Sequence, residues 1–498
     1  MRRLLILLAI LPLTAQAQIG RLGENVRYGA SMSGMASSGD YAPFWFTANR
    51  YGLATPNNES FLTRAFIGRS TTADSSRHWR VGYGADFAVA AGMDNHFILQ
   101  QLYAEVQWKA LRLSVGQKQR TLTLLNDSLS SGAMTTGINT RPLPQLRLEL
   151  PDFWTIPGTH RWLALKAHFA MGAYTDNGWQ RSSTKTHSLP YTNNSLYHSK
   201  ELLLRIGNQE RFPLTLTGGL EMSTQFGGEG WNMGQRLDDG TVLSTHRKLF
   251  HGLSSIWHAI IPGGGDEDDG DFANAEGNML GSWHLRADWQ GKGWSAAAYL
   301  EHYFEDESQL FWQYGWKDFL LGVEVSLPRN PFLSTVLYEH LGTMDQSGPV
   351  YHDSRENLPV QISAIDEYYN HHVYGAWQHA GYVMGNPLIL SPIYNRDGRI
   401  YCYYNRVNAH HLSLKGQPAQ WLQWRMLYTH LRTLGTYHNP TIDPKRADYL
   451  LAELTWQPRF APGLSVTGSY GLNGGTLIGR SHGGMLTLAY QSLIKKKK

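Results

Sequence analysis

Long runs in which every second residue is apolar recur through this chain, and they restrict its fold more than any other feature. Leu102, Ala104, Val106 and Trp108 alternate with Tyr103, Glu105, Gln107 and Lys109; after a tight turn, Leu111, Leu113 and Val115 alternate with Arg112, Ser114 and Lys118. Period two is the side-chain period of a strand, so each run has one oily face and one mostly polar face. The same pattern sets Phe319, Leu321, Val323, Val325 and Leu327 against Asp318, Gly322, Glu324 and Ser326. It also sets Leu163, Leu165, Ala167, Phe169 and Met171 against Ala164, Lys166 and His168.

Alternation suits a soluble sandwich as well as a membrane barrel, so strand length and loop order have to separate them. Segments 161–175, 212–226 and 294–306 exceed the roughly 5–6 residues of a globular strand and match the about 9–11 of a tilted membrane crossing. Eighteen strands are predicted, at 25–36, 61–73, 78–91, 97–108, 110–119, 144–150, 161–175, 196–207, 212–227, 276–290, 293–306, 317–327, 331–345, 398–415, 418–434, 446–458, 462–476 and 481–493. Bacterial single-chain barrels have such an even number. The connections 37–60, 120–143, 176–195, 228–275, 346–397 and 435–445 are long, whereas those between them are mostly short, 151–160 being the main exception. Outer-membrane barrels keep this order, with short turns toward the periplasm and long loops outside. Closure also satisfies every backbone donor and acceptor in lipid, and 26 Tyr and 17 Trp supply interfacial girdles. The predicted fold is all-β: a large transmembrane antiparallel β-barrel of about 18 strands with long extracellular loops.

Residues 1–17, MRRLLILLAILPLTAQA, read as a signal peptide cut before Gln18, leaving 18–498 as a single outer-membrane barrel domain with no Pro/Ser-rich or charge-rich linker. The apolar run of about 10 residues is half of what a spanning helix needs, and no Cys follows the cleavage site for lipidation. A lone Cys402 excludes a disulfide framework and a CxxC pair. The net charge of +4 without a basic arm argues against nucleic acid, and the lysines at 495–498 read as a solvated periplasmic tail.

The stretch 365–395, IDEYYNHHVYGAWQHAGYVMGNPLILSPIYN, is too irregular for a strand and too aromatic for ordinary disorder. A glycan binder needs flat apolar surfaces for sugar rings and a few convergent polar groups for hydroxyls. Tyr368, Tyr369, His371, His372, Tyr374, Trp377, His379 and Tyr382, with Asn370 and Asn386 as amide partners, supply both. The competing reading is that these rings pack the loop into the lumen; the two are compatible, because a binding loop must itself be held in place.

His371, His372 and His379 lack a second ligand cluster, so no metal site is assigned to them. The acidic run Asp266, Glu267, Asp268, Asp269 and Asp271 departs from the EF-hand spacing and reads as a solvated loop rather than a Ca²⁺ site. Neither HExxH, GxxxxGK[ST] nor a strand-borne GxGxxG occurs. The GxSxG match at 479–483 lies in a turn between strands, not at a strand-to-helix elbow. No enzyme activity and no cofactor are predicted. Glu105, Lys109, Arg112, Lys166, Glu324 and Arg425 face inward, where they tune a pore or grip a plug.

At these residues the chain resembles the Wzi-type capsule-assembly proteins of bacterial outer membranes. The likeness lies in Tyr369-Asn370-His371, Val373-Tyr374, Gly381-Tyr382 and Met384-Gly385. Tyr338-Glu339, Gln225-Phe226-Gly227-Gly228-Glu229-Gly230, Arg141-Pro142 and Gly116-Gln117 support it, and it extends from about Phe61 onward. It adds Glu229 and its neighbour Trp231 to the candidate glycan site. It implies that the barrel binds capsular or extracellular polysaccharide and takes part in capsule or exopolysaccharide assembly or attachment, with outer-membrane lipid and other capsule-export components as partners. One departure concerns the helical N-terminal segment thought to close the periplasmic mouth of family members: residues 18–24 are too short for it, and residues 41–52 fall in the first outer loop. The rival readings are a passive outer-membrane diffusion channel for small polar solutes and a soluble secreted β-protein.

Overall fold

The computed structural model describes residues 22–184, 189–233, 246–261, 277–305, 317–328, 330, 332–346 and 367–495. The predicted signal peptide and the acidic run at 266–271 lie outside the described residues.

Eighteen antiparallel strands form one closed sheet. They are β1 Val26–Gly39, β2 Glu59–Arg69, β3 Trp79–Ala91, β4 Phe97–Trp108, β5 Leu111–Gln117, β6 Pro144–Thr155, β7 Leu163–Ala173, β8 Leu196–Ile206 and β9 Leu214–Phe226. The remainder are β10 Asn278–Gln290, β11 Ser295–Glu305, β12 Phe319–Ser326, β13 Thr335–Gly342, β14 Val407–Ala419, β15 Leu422–Gly435, β16 Pro440–Trp456, β17 Leu464–Gly475 and β18 Ser481–Ile494. β1 pairs with β2 on one side and with β18 on the other, from Val26↔Ile494 to Gly39↔Ser481, and this second pairing closes the barrel.

Each of the eighteen predicted strands has its counterpart, with three boundaries moved by five residues or more. Residues 398–406 are not strand: side-chain amides hold this backbone over the lumen, with Asn370 Oδ1 accepting from Cys402 N at 2.7 Å and Asn405 Nδ2 donating to Tyr368 O at 3.0 Å. β6 continues to Thr155 through a register shift between Leu150 and Trp154, where Pro151 lacks the N–H a regular ladder needs. The exceptional connection at 151–160 thereby shrinks to a short turn. β16 begins at Pro440, which leaves only 436–439 as its outer turn.

Alternation sorts side chains as expected. Leu102, Val106 and Trp108 are exposed on the outer wall, and Glu105 and Gln107 are buried inside. Lys109 departs from the expectation. With φ 52° it occupies the tight β4–β5 turn, exposed, its ammonium 4.8 Å from the Trp108 ring centroid. Seven of the nine exposed tryptophans among the described residues gather at the short-turn end: Trp79, Trp108, Trp154, Trp162, Trp289, Trp294 and Trp456. No helix among the described residues is long and apolar enough to cross a membrane.

Three outer connections, 40–58, 118–143 and 367–406, turn inward and fill the lumen. Phe44–Thr47 forms one helical turn whose Phe44 ring stacks on Tyr449 of the inner wall at 4.3 Å. Gly471 permits this approach, since a Cβ there would stand 2.6 Å from Pro43. Residues 41–52 thus enter from the extracellular side.

Inward polar side chains of the wall grip residues 118–143. Glu339 accepts from Ser130 Oγ at 2.6 Å and Ser131 N at 2.7 Å, and Glu301 from Met134 N at 2.7 Å. Glu324 accepts from Asn126 Nδ2 at 2.7 Å, while Arg425 and Arg286 donate to the carbonyls of Ser128 and Leu124. Glu324 and Arg425 therefore anchor the plug. Replacing Glu339 with Ala strands two buried donors of the plug, each costing about 1–3 kcal/mol. The expected result is an intact barrel whose 118–143 segment is cut faster by protease; unchanged cleavage would contradict it.

Candidate functional site

The plug is built where 118–143 meets 367–406. Trp377 Nε1 donates to Thr135 O at 2.9 Å, and the Tyr369 hydroxyl donates to Met134 O while accepting from Asn386 N at 2.9 Å. Asn386 Nδ2 donates to Gly132 O at 2.7 Å, His379 Nδ1 to Arg141 O at 2.9 Å and Tyr382 OH to Ala54 O at 2.5 Å. Gly385 has to be glycine in this packing: a Cβ would lie 2.0 Å from the Tyr369 hydroxyl and 2.3 Å from Met134 O.

The predicted site residues divide by this geometry. Tyr368, Tyr369, Tyr374, Trp377, His379, Tyr382 and Asn386 are buried in the plug, Asn370 and His371 are half-buried, and His372 is exposed. His371 stacks on His372 with centroids 4.6 Å apart and lies 5.3 Å from the Tyr374 ring. Tyr374 OH donates to Gly227 O at 3.3 Å, tying this cluster to the base of the neighbouring loop. Glu229 and Trp231 stand on that loop in a small three-stranded sheet, pairing with Lys248 and His246 on one side and with Asn193 and Tyr191 on the other. Trp231 is exposed, with His246 at 4.3 Å between centroids.

Burial beside His372 pulls the His371 imidazole down to about 3, and its Nδ1 accepts from Val373 N at 3.1 Å, which requires the neutral ring. Burial likewise lowers His379. An unfolded histidine titrates near 6.5, so this packing contributes stability above about pH 6.5 that is lost as pH falls toward 3. The mouth should become protease-sensitive over that window while the barrel stays closed; sensitivity independent of pH would count against it.

A second surface was not anticipated from the sequence. A cavity of about 320 Å³ at the extracellular mouth is lined by Tyr41, Tyr394, Arg396, Asp397, Tyr403 and Tyr404, among others. Tyr41 OH donates to Tyr394 O at 2.9 Å, the Arg396 guanidinium lies 5.2 Å from the Tyr41 ring centroid, and Tyr403 OH donates to Asp397 at 2.5 Å. These residues come from the first outer loop and the tail of the long one, a juxtaposition that only barrel closure creates. The volume falls within the range of small-ligand pockets, about 300–1,000 Å³. Among the described residues no group of three His, Cys, Asp or Glu is placed to hold a metal ion.

No family model matches the sequence, and no curated protein does. Among solved structures the chain is similar to Wzi of Escherichia coli, described as an outer-membrane protein involved in group 1 capsule assembly and a carbohydrate-binding β-barrel. That likeness has a TM-score of 0.57 at 14% identity and covers 99% of this chain and 88% of Wzi. OprD of Pseudomonas aeruginosa matches with a TM-score of 0.46 at 8% identity, over 95% of this chain and 96% of OprD. The chain has the fold of an outer-membrane β-barrel.

Proposed function

We propose that the protein is a plugged outer-membrane barrel of the Wzi type that binds surface polysaccharide and takes part in capsule or exopolysaccharide assembly or attachment. The observation that carries this is the plug itself: three loops close the lumen and turn an aromatic, polar face outward. Tyr41, Tyr403, Tyr404, Arg396 and Asp397 form one contact surface, and the second is assigned to Trp231 and Glu229 of the small sheet with the exposed His372. The buried Tyr368, Tyr369, Trp377, His379, Tyr382 and Asn386, with Asn370, His371 and Tyr374, serve the site by holding that face in shape. A repeating polymer meets many copies of a weak site, so retention follows from avidity rather than from one tight pocket.

Combining Tyr403→Ala with Arg396→Ala should lower polymer retention at least ten-fold on purified barrel, with migration on unheated gels unchanged. Equal retention would remove the proposal.

A diffusion channel for small polar solutes is the second reading, favoured by a polar vestibule of about 670 Å³ bordered by Arg161, Arg205, Arg286 and Asp288 at the short-turn end. It meets a smaller cavity of about 120 Å³ lined by Lys118, Arg120, Arg147 and Glu201. Met384 and Gly137 of the plug border that cavity, and conductance in planar bilayers separates the readings.

A further inference from the structure

The outer wall of β13–β16 carries side chains in rows set by the strand register. Tyr338, Leu412, Tyr428 and Leu450 are paired in one row, His340, His410, His430 and Asp448 in the next, and Asn408, Arg432 and Arg446 in the row nearest the outer loops. Arg432 and Arg446 face each other directly across β15 and β16, both exposed. Among the described residues neither guanidinium has an ion-pair or hydrogen-bond partner. The nearest carboxylate in these rows, Asp448, is already engaged by His430 Nδ1 at 2.9 Å and by Tyr428 OH at 2.8 Å. Like charges directly opposite in a sheet are destabilising unless something lies between them.

Their height says what that is. Arg432 is eight residues from Trp424 on β15, and Arg446 is ten from Trp456 on β16. At about 3.3 Å per residue these separations are roughly 26 and 33 Å along the strands. After the tilt of about 35–45°, that is close to the roughly 25 Å height of an outer-membrane apolar band. The arginines therefore stand at its extracellular edge, at headgroup level. Below them, on the same wall, an apolar groove of about 890 Å³ runs between Met426, Leu454, Tyr470 and Leu486. It is open because Gly468 has nothing within 4 Å of where its Cβ would be, and Gly484 has one atom at 3.9 Å. Ala452 in its floor is six residues from Arg446 on β16.

We propose that this face holds a phosphorylated lipid of the outer leaflet, its phosphate between Arg432 and Arg446 and an acyl chain in the groove. Guanidinium pairs present forked donors to phosphate, and the charge of the anion relieves their repulsion. The inference rests on the outer-membrane placement proposed above and is independent of polysaccharide binding.

The test uses the full folded chain in detergent, stripped of lipid and titrated with diphosphoryl lipid A or with phosphatidylcholine, and read by native mass spectrometry. Diphosphoryl lipid A should bind at least ten-fold more tightly than phosphatidylcholine. Arg432→Gln with Arg446→Gln should abolish that preference while polysaccharide retention stays at the wild-type level, which separates failure here from failure of the glycan reading. Gly468→Leu, which fills the groove, should weaken both lipids but keep their ranking. Inorganic phosphate at equal phosphate concentration should not compete, because it lacks the chain; full competition would reassign the pair to a free anion and overturn the proposal. Unchanged preference in the double glutamine variant would overturn it as well.

Discussion

Excising residues 121–140 and joining the ends with a short Gly/Ser linker should turn a sealed barrel into a conducting one. The segment reaches from Glu339, midway along β13, down to Glu324 and Arg286 near the short-turn end. Its loss removes the floor on which Trp377, Tyr369 and Asn386 rest. Barrels of 16–18 strands without such filling leave an aqueous channel. Planar-bilayer recordings should show little current for the intact protein and large, stable openings for the excised one. Equal conductance of the two would mean that the plug does not seal the lumen, and would favour the channel reading.

Trp377→Ala should be the most damaging single substitution in the plug and should leave the barrel closed. The indole is fully buried, and Nε1 is hydrogen-bonded to Thr135 O. Deleting such a ring costs about 3–5 kcal/mol, and the stranded carbonyl adds to this. The β1–β18 ladder that closes the barrel does not depend on Trp377, so migration on unheated gels should match wild type while proteolysis within 367–406 accelerates. Polymer retention should fall too, but through loss of shape. Tyr403→Ala with Arg396→Ala should reduce retention with 367–406 still resistant. Unfolding of the whole barrel by Trp377→Ala would contradict this division of labour.

The barrel was legible because period two and loop order are both local properties of the chain: the alternation around Leu102 to Trp108 and the two-residue turn at Lys109-Ala110 suffice for a hairpin. The long aromatic loop was legible as a special segment, but not the direction of its rings. Tyr369, Trp377 and His379 read equally well as sugar platforms or as packing, and the partners that settle their burial, Met134, Thr135 and Arg141, lie more than 200 residues earlier. The residues carrying the family likeness, including Glu339, Arg141, Tyr369 and Gly385, turn out to hold the plug together. The cavity at Tyr41, Arg396 and Tyr403 was missed because its parts sit on loops far apart in sequence. A signal exists in the run Asn395 to Tyr404, where two arginines and three tyrosines gather beside Asn395 and Asp397.

The most direct test of polysaccharide binding is retention of purified bacterial exopolysaccharide on folded, immobilised barrel at low and high surface density. Avidity predicts weak, fast-dissociating binding at low density and dissociation slowed at least ten-fold at high density, with short oligosaccharides of the same polymer insensitive to density. Absence of polymer binding at both densities, on protein whose mouth resists protease at neutral pH, would contradict it.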